Sequence, residues 1–412
     1  MRFKDITFRN APFRLFLLFV AICPIFFDPS KSFEWLSLRL NQEQFFQLGC
    51  TVLFTIVFIE NIYLCLAVLY SILLYSYYNF PVMSAEYVTN LFWAALLYQV
   101  SYVLFTDQNI KTFFKVMIGV CLLNIVWLIL QATGNDLIYQ SPTIHGYSRE
   151  FVGLMGIKCF MGILFAMCIP FLASFGRWQR WASALFLIPC YLSHSSVAMV
   201  GGIAAFLWTF WWESRKAFFA LLVILSIGGA FYVANDHKTG MFDNRYSLWR
   251  VTLRRSMEHP LIGWGLNSFS KVGSLKQYVY MNNPRTHETK DIPYTTLKAY
   301  METGQFPKMD FVKEGDTLDM WEHPHNEFIS LFNEWGLLGL LLFGFFSYDV
   351  YQGFFLSRQM IALSGFLIVI LITATGQYPL HVARIGYLVP VVLGAYYKLI
   401  YLNKKESEHV TS

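Results

Sequence analysis

Charge is what this chain has least of. Only 14% of its 412 residues are Asp, Glu, Lys or Arg, while 56% are hydrophobic. A soluble protein of this length could not cover its surface with so few charges. The net charge of +5 is modest, which speaks against a nucleic-acid partner and fits an orientation signal together with contact to lipid headgroups. Cysteine chemistry is missing too. Cys23, Cys50, Cys65, Cys121, Cys159, Cys168 and Cys190 all lie in apolar segments, with no CxxC and no Cys/His cluster. That pattern excludes a disulfide framework. There is no P-loop, dinucleotide fingerprint, HExxH or DxD motif. Any group transfer therefore has to proceed without nucleotide-site or metal-ligand signatures, and no cofactor or metal is expected.

What fills the chain instead is hydrocarbon in long runs. A bilayer core takes roughly 20 apolar residues per helix, and such runs recur from end to end. The fold class is therefore all-α, a polytopic membrane protein. Its 24 Tyr and 12 Trp suit interfacial belts. Predicted spans cover residues 11–27, 45–78, 85–105, 112–130, 151–174, 181–192, 196–212, 217–234, 326–348, 359–375 and 385–402. The Lys/Arg groups in short loops are the N-terminal cluster, Lys111 with Lys115, Arg177 with Arg180, Arg215 with Lys216, Arg358, and Lys404 with Lys405. All fall on one side, the cytoplasmic one, if residues 45–78 cross twice and turn at Glu60–Asn61. Two crossings of roughly 16 residues each suit a locally thinned bilayer. The reading is about 12 transmembrane helices with both termini inside; the alternative is 11, with one long tilted second helix. The basic N-terminus ahead of an apolar run is read as an uncleaved first helix.

One long polar region breaks the pattern. Residues 235–325 carry twelve Lys/Arg and eleven Asp/Glu, and the topology puts them outside. A loop this long is usually functional. The expected organisation is residues 1–234 as helices 1–9, 235–325 as a small helical lid, and 326–412 as the last three helices and a cytoplasmic tail.

Chemistry-bearing residues gather at the two edges of that region. At its end, His323 and His325 flank Pro324, and Asn326 opens an apolar segment from Phe328 to Phe346. A histidine where a polar loop meets a membrane helix can exchange a proton near neutral pH; it can also be a helix-start residue bonded to its neighbours. Near its beginning, Arg245, Arg250, Arg254 and Arg255 share a short predicted helix, with Arg245 and Trp249 on one face and Arg250 and Arg254 on a neighbouring one. The helix should stop at His259-Pro260. These arginines can grip phosphate through bidentate hydrogen bonds, or pair with the loop's carboxylates or lipid headgroups. Lys158, some seven residues into a predicted span, is either a functional group or a snorkelling one. With Arg149 and Arg384 it would give the outer mouth a positive field suited to a diphosphate.

Two stretches carry a family resemblance. Arg245-x-x-x-Trp249 is followed by His259-Pro260-Leu-Ile-Gly263-Trp-Gly265, and His325-Asn326 is followed after nine residues by Gly336-x-x-Gly339. Together they resemble the O-antigen ligase and O-antigen polymerase superfamily of bacterial envelope glycosyltransferases. One position departs from the family: Ser196 stands where an arginine is expected. The resemblance implies transfer of a glycan from undecaprenyl diphosphate to a lipid A–core sugar hydroxyl, with inversion and without metal. The protein would sit in the bacterial inner membrane, with its site on the periplasmic face of that large loop. It implies His325 as base and Arg245 on the departing diphosphate; Asn326 beside the base, and from their position and charge Arg149, Lys158, Arg250, Arg254 and His323, are the expected substrate-binding residues. A polysaccharide polymerase or a protein O-oligosaccharyltransferase of the same superfamily is the alternative. A lipid or solute transporter is the non-enzymatic one, and would place broken helices and ionisable groups deep in the bundle.

Overall fold

The computed structural model describes residues 13–14, 16–18, 83–133, 135, 153–155, 158–211, 214–221, 223, 249, 252–254, 256–265, 279–280, 317–318, 324–353, 357–377, 379–380 and 383–411. The proposed double crossing of residues 45–78 lies outside them, as does most of the first span, so the count of twelve rests on sequence alone. Among the described residues the regular elements are helices, apart from one minimal antiparallel pair of strands, and the chain divides into two compact units.

The first unit comprises Met1–Asn61, Trp93–Asn235 and Tyr348–Ser412. It takes in most of α1 (Met83–Leu104), α2 (Ile110–Ala132), α3 (Lys158–Ala173), α4 (Arg177–Ala182), α5 (Leu187–Leu192) and α6 (Ser196–Trp211). After the other unit come α8 (Arg358–Ala374), α9 (Ala383–Gly386) and α10 (Leu388–Thr411). Helix α2 is long and apolar enough to cross a bilayer. It exposes Leu122, Leu123, Val126 and Ile129, as a helix facing hydrocarbon does. Helix α3 is the centre, buried along nearly its whole length. Phe171 near its end stacks on Phe114 at 4.5 Å and on Phe366 of α8 at 5.8 Å. Trp208, near the end of α6, donates its indole N–H to Ser364 Oγ of α8 at 3.0 Å. These contacts bring the ends of α3 and α6 together with the starts of α2 and α8. Lys111, Lys115, Arg177, Arg180, Arg215, Lys216 and Arg358 therefore collect at one end of this unit, the grouping predicted for them.

Two predicted spans change character. Residues 181–192 belong to a rod that starts earlier, at Arg177, and tightens to a 3-10 turn over Ser183–Phe186. The Ser183 hydroxyl donates to the Arg180 carbonyl at 2.6 Å, and Pro189 has no N–H for the ladder, both of which disturb an α-helix. The span predicted over 151–174 is helical only from Lys158, after a short 3-10 turn at Gly153–Met155. Lys158 is thus the first residue of α3, half-buried, and not seven residues inside a helix.

The second unit comprises Ile62–Phe92 and Asp236–Ser347. Trp249, Thr252, Leu253, Arg254 and Ser256 are helical, as predicted for this stretch. The lid is not purely helical: β1 (Val279–Tyr280) pairs antiparallel with β2 (Thr317–Leu318), with Val279 opposite Leu318. Helix α7 (Glu327–Gln352) begins here and runs on past the boundary of the unit. It too is long and apolar enough to cross a bilayer, but its backbone breaks at Gly336, with φ 64° and ψ −160°.

Candidate active site

His325 stands immediately before α7 in a left-handed backbone conformation, φ 52°. A side chain there costs roughly 1–2 kcal/mol, and such strain persists only where neighbours enforce it. Both neighbours are held. The carbonyl of Pro324 accepts the indole N–H of Trp249 at 2.7 Å. The Asn326 side-chain oxygen accepts the backbone N–H groups of Phe328 and Ile329 at 3.0 and 3.1 Å, making Asn326 the helix cap. His325 is half-buried, with Nδ1 enclosed. Its position is thus set by main chain and cap before its imidazole makes any contact.

The break in α7 is built together with a second break 73 residues earlier in the chain. In an unbroken helix Leu337 and Leu338 would donate to the carbonyls of Asn333 and Glu334. They donate instead to Pro260 at 2.8 Å and Leu261 at 3.1 Å. The carbonyls they leave accept from Trp264 at 2.8 Å and Gly265 at 2.9 Å. In a helix, those two N–H groups would have served Pro260 and Leu261. Two interrupted helical turns have exchanged hydrogen bonds, and the four N–H groups and four carbonyls involved all stay paired. A glycine occupies the equivalent place in each half, Gly263 with φ 70° and Gly336 with φ 64°. A Cβ on Gly336 would lie 2.5 Å from the Leu261 carbonyl carbon and 2.6 Å from the Gly263 nitrogen. A Cβ on Gly263 would meet the Glu334 carbonyl carbon and the Gly336 nitrogen at the same distances. His259 closes the turn by accepting the Gly263 N–H at 2.9 Å, and its ring sits edge-on to Trp264, centroids 4.0 Å apart. It is the turn residue before proline that the sequence suggests.

Between cap and break, α7 is polar on its inner face. Glu327, Ser330, Asn333 and Glu334 are buried, and Ser330 Oγ lies 3.4 Å from Glu334 Oε1. Ser256 reaches Asn333 Oδ1 at 3.2 Å while also bonding the Thr252 carbonyl. Trp249 and Ser256, two turns apart, thus attach the arginine-bearing helix to both ends of this polar segment. Ser330, Asn333 and Glu334 lie inside the largely apolar segment Phe328–Phe346 and Glu327 just before it, and their spacing of three, three and one marks a helical stripe. Arg254 projects outward, exposed. Arg149, Arg245, Arg250 and His323 lie outside the described residues. Lys158 belongs to the first unit.

The fold and site define a helical chain with membrane-type spans, whose two motif stretches form one joint carrying a strained histidine. Residues 181–344 match the family model Wzy_C, O-Antigen ligase, a range that holds both stretches. Over that range the chain is similar to the O-antigen ligase superfamily, whose members are membrane-embedded, glycosyltransferase-type enzymes. No curated protein matches the chain.

Proposed function

We propose that the protein transfers a glycan from undecaprenyl diphosphate to a lipid A–core sugar hydroxyl, on the periplasmic face of the inner membrane. The observation that carries this reading is the placement of His325. It is held between the Trp249 hydrogen bond and the Asn326 cap at the mouth of a membrane-type helix. A base fixed in this way can take the proton of an acceptor hydroxyl as its oxygen attacks the anomeric carbon. The sugar–diphosphate bond breaks on the opposite face, inverting the centre, and undecaprenyl diphosphate departs. Arg245, one turn before Trp249 if the helix continues, would stabilise the charge gathering on the diphosphate. Arg149, Lys158, Arg250, Arg254 and His323 would supply further contacts to donor or acceptor. Asn326 acts first as the cap.

The test is incubation of the purified full chain with an undecaprenyl-diphosphate glycan, with and without lipid A–core. Glycan on lipid A–core is the expected product. Longer glycans on the carrier, formed without acceptor, would make the protein a polymerase. No transfer with either would overturn the enzymatic reading.

A further inference from the structure

The arginine-bearing helix is held against α7 at two points, and Asn333 supplies the second. Trp249 Nε1 donates to the Pro324 carbonyl at 2.7 Å. Seven residues on, Ser256 shares its hydroxyl proton between the Thr252 carbonyl at 2.8 Å and Asn333 Oδ1 at 3.2 Å. Residues seven apart lie on one face of a helix, so both ties leave from the same side. Thr252, Ser256 and Asn333 are all fully buried. The main-chain carbonyl of Asn333 meanwhile accepts the Trp264 N–H at 2.8 Å. Asn333 thus links the arginine-bearing helix, through its side chain, to the joint, through its main chain.

Two ties fix what one cannot, because a helix tied only at Trp249 can pivot there. The ties run the same way along both helices, Trp249 at Pro324 and Ser256 at Asn333. Residues before Trp249 therefore lead toward the start of α7, where His325 stands. The predicted helix puts Arg245 one turn before Trp249, about 6 Å further along and on the tied face. Ser256 lies about 10.5 Å the other way. With Trp249 as pivot, a slip of about 1 Å at Ser256 carries the Arg245 Cα about 0.6 Å. Catalysis is sensitive on that scale, since a misplacement of about 1 Å can cost about 10²-fold.

We propose that Ser256 and Asn333 are positioning residues for Arg245, setting its distance from His325 and so its grip on the departing diphosphate. This role rests on the proposed transfer, in which Arg245 stabilises charge on the leaving group. Both residues are buried away from substrate and act only through the placement of that arginine.

The test measures glycan transfer by the full chain in detergent for Ser256→Ala, which removes the shared donor and leaves the Trp249 tie in place. Arg245 acts on charge that develops in the transition state, so kcat should fall about tenfold, with the donor KM within about twofold of wild type. The pH at which the rate rises should stay put, since His325 keeps the Trp249 bond and the Asn326 cap. In an Arg245→Gln background, Ser256→Ala should cost nothing further. Asn333→Ala, which spares the carbonyl serving Trp264, should behave as Ser256→Ala does. Met257→Ala, at an exposed neighbour, should match wild type. An equal loss in the Arg245→Gln background, or a shifted pH profile, would overturn the positioning role. Spin labels on cysteines at Leu253 and Leu341, both exposed, follow the helix without any need for transfer, in a background lacking native cysteines. Their distance distribution should broaden in Ser256→Ala. An unchanged distribution would overturn the second tie, whereas a wild-type protein that transfers nothing would overturn the transfer reading.

Discussion

Adding one methyl group at Gly336 should cost far more than a helix residue normally can. An alanine there would keep φ near 64° at roughly 1–2 kcal/mol. Its Cβ would also lie 2.5 Å from the Leu261 carbonyl carbon and 2.6 Å from the Gly263 nitrogen. Both are main-chain atoms and cannot swing aside. Relief requires the two halves of the joint to separate, which puts its four exchanged hydrogen bonds at risk, each contributing about 1 kcal/mol. We expect a loss of about 3–5 kcal/mol. Gly344 is the control, on the same helix with nothing within 4 Å of an added Cβ. Gly344→Ala should be neutral or stabilising by up to about 1 kcal/mol. Thermal unfolding of both proteins in detergent, with glycan transfer measured alongside, compares them directly. Gly263→Ala should match Gly336→Ala, and the double variant should be little worse than either single one, because both break the same joint. Equal midpoints for Gly336→Ala and Gly344→Ala would refute the exchanged-bond account.

Further predictions concern the base and the topology. Trp249→Phe removes the hydrogen bond to Pro324 and should slow transfer about tenfold, roughly the loss of one neutral hydrogen bond, with the midpoint nearly unchanged; full activity would remove Trp249 from the positioning of His325. His325→Ala should slow transfer by ~10²–10⁴-fold, and wild-type rate should rise with pH as histidine becomes neutral. A rate independent of pH would argue against a histidine base. Arg245→Lys should fail because lysine lacks the bidentate fork; full activity would move the diphosphate to another cation. Cysteines at Ser274 and Ser407, in a background without native cysteines, should label from opposite sides of intact cells, and labelling from one side would contradict the topology.

What could be seen in the sequence follows from which interactions leave a side-chain pattern. Apolar runs announce helices, so α2, α6 and α8 lie within about two residues of their predicted bounds. Proline and glycine announce turns, so His259 through Gly265 was legible as a stop. The joint was not legible, because it is made of N–H and C=O groups that every residue carries. Its halves, Pro-Leu-Ile-Gly-Trp-Gly and Asn-Glu-Trp-Gly-Leu-Leu, share only the fourth-place glycine, too little to register as a repeat. Asn326 was read as a substrate contact; the structure shows its oxygen turned back to cap α7. The stripe of Glu327, Ser330, Asn333 and Glu334 was present at helical spacing, but Phe328, Ile329, Leu331 and Phe332 outweighed it in any average over the segment.

Main-chain pairing at the joint has a consequence for how the chain tolerates change. The joint does not read side chains; it counts residues. Exactly which apolar residue stands at Leu261 or Leu337 matters less than the nine positions separating Asn326 from Gly336. Adding one residue to that interval would turn the cap about 100° relative to the break. His325 would then swing away from the arginine helix although every original side chain remained. Segments exchanged between related enzymes should be accepted when this interval keeps its length and rejected when it does not, however similar their composition.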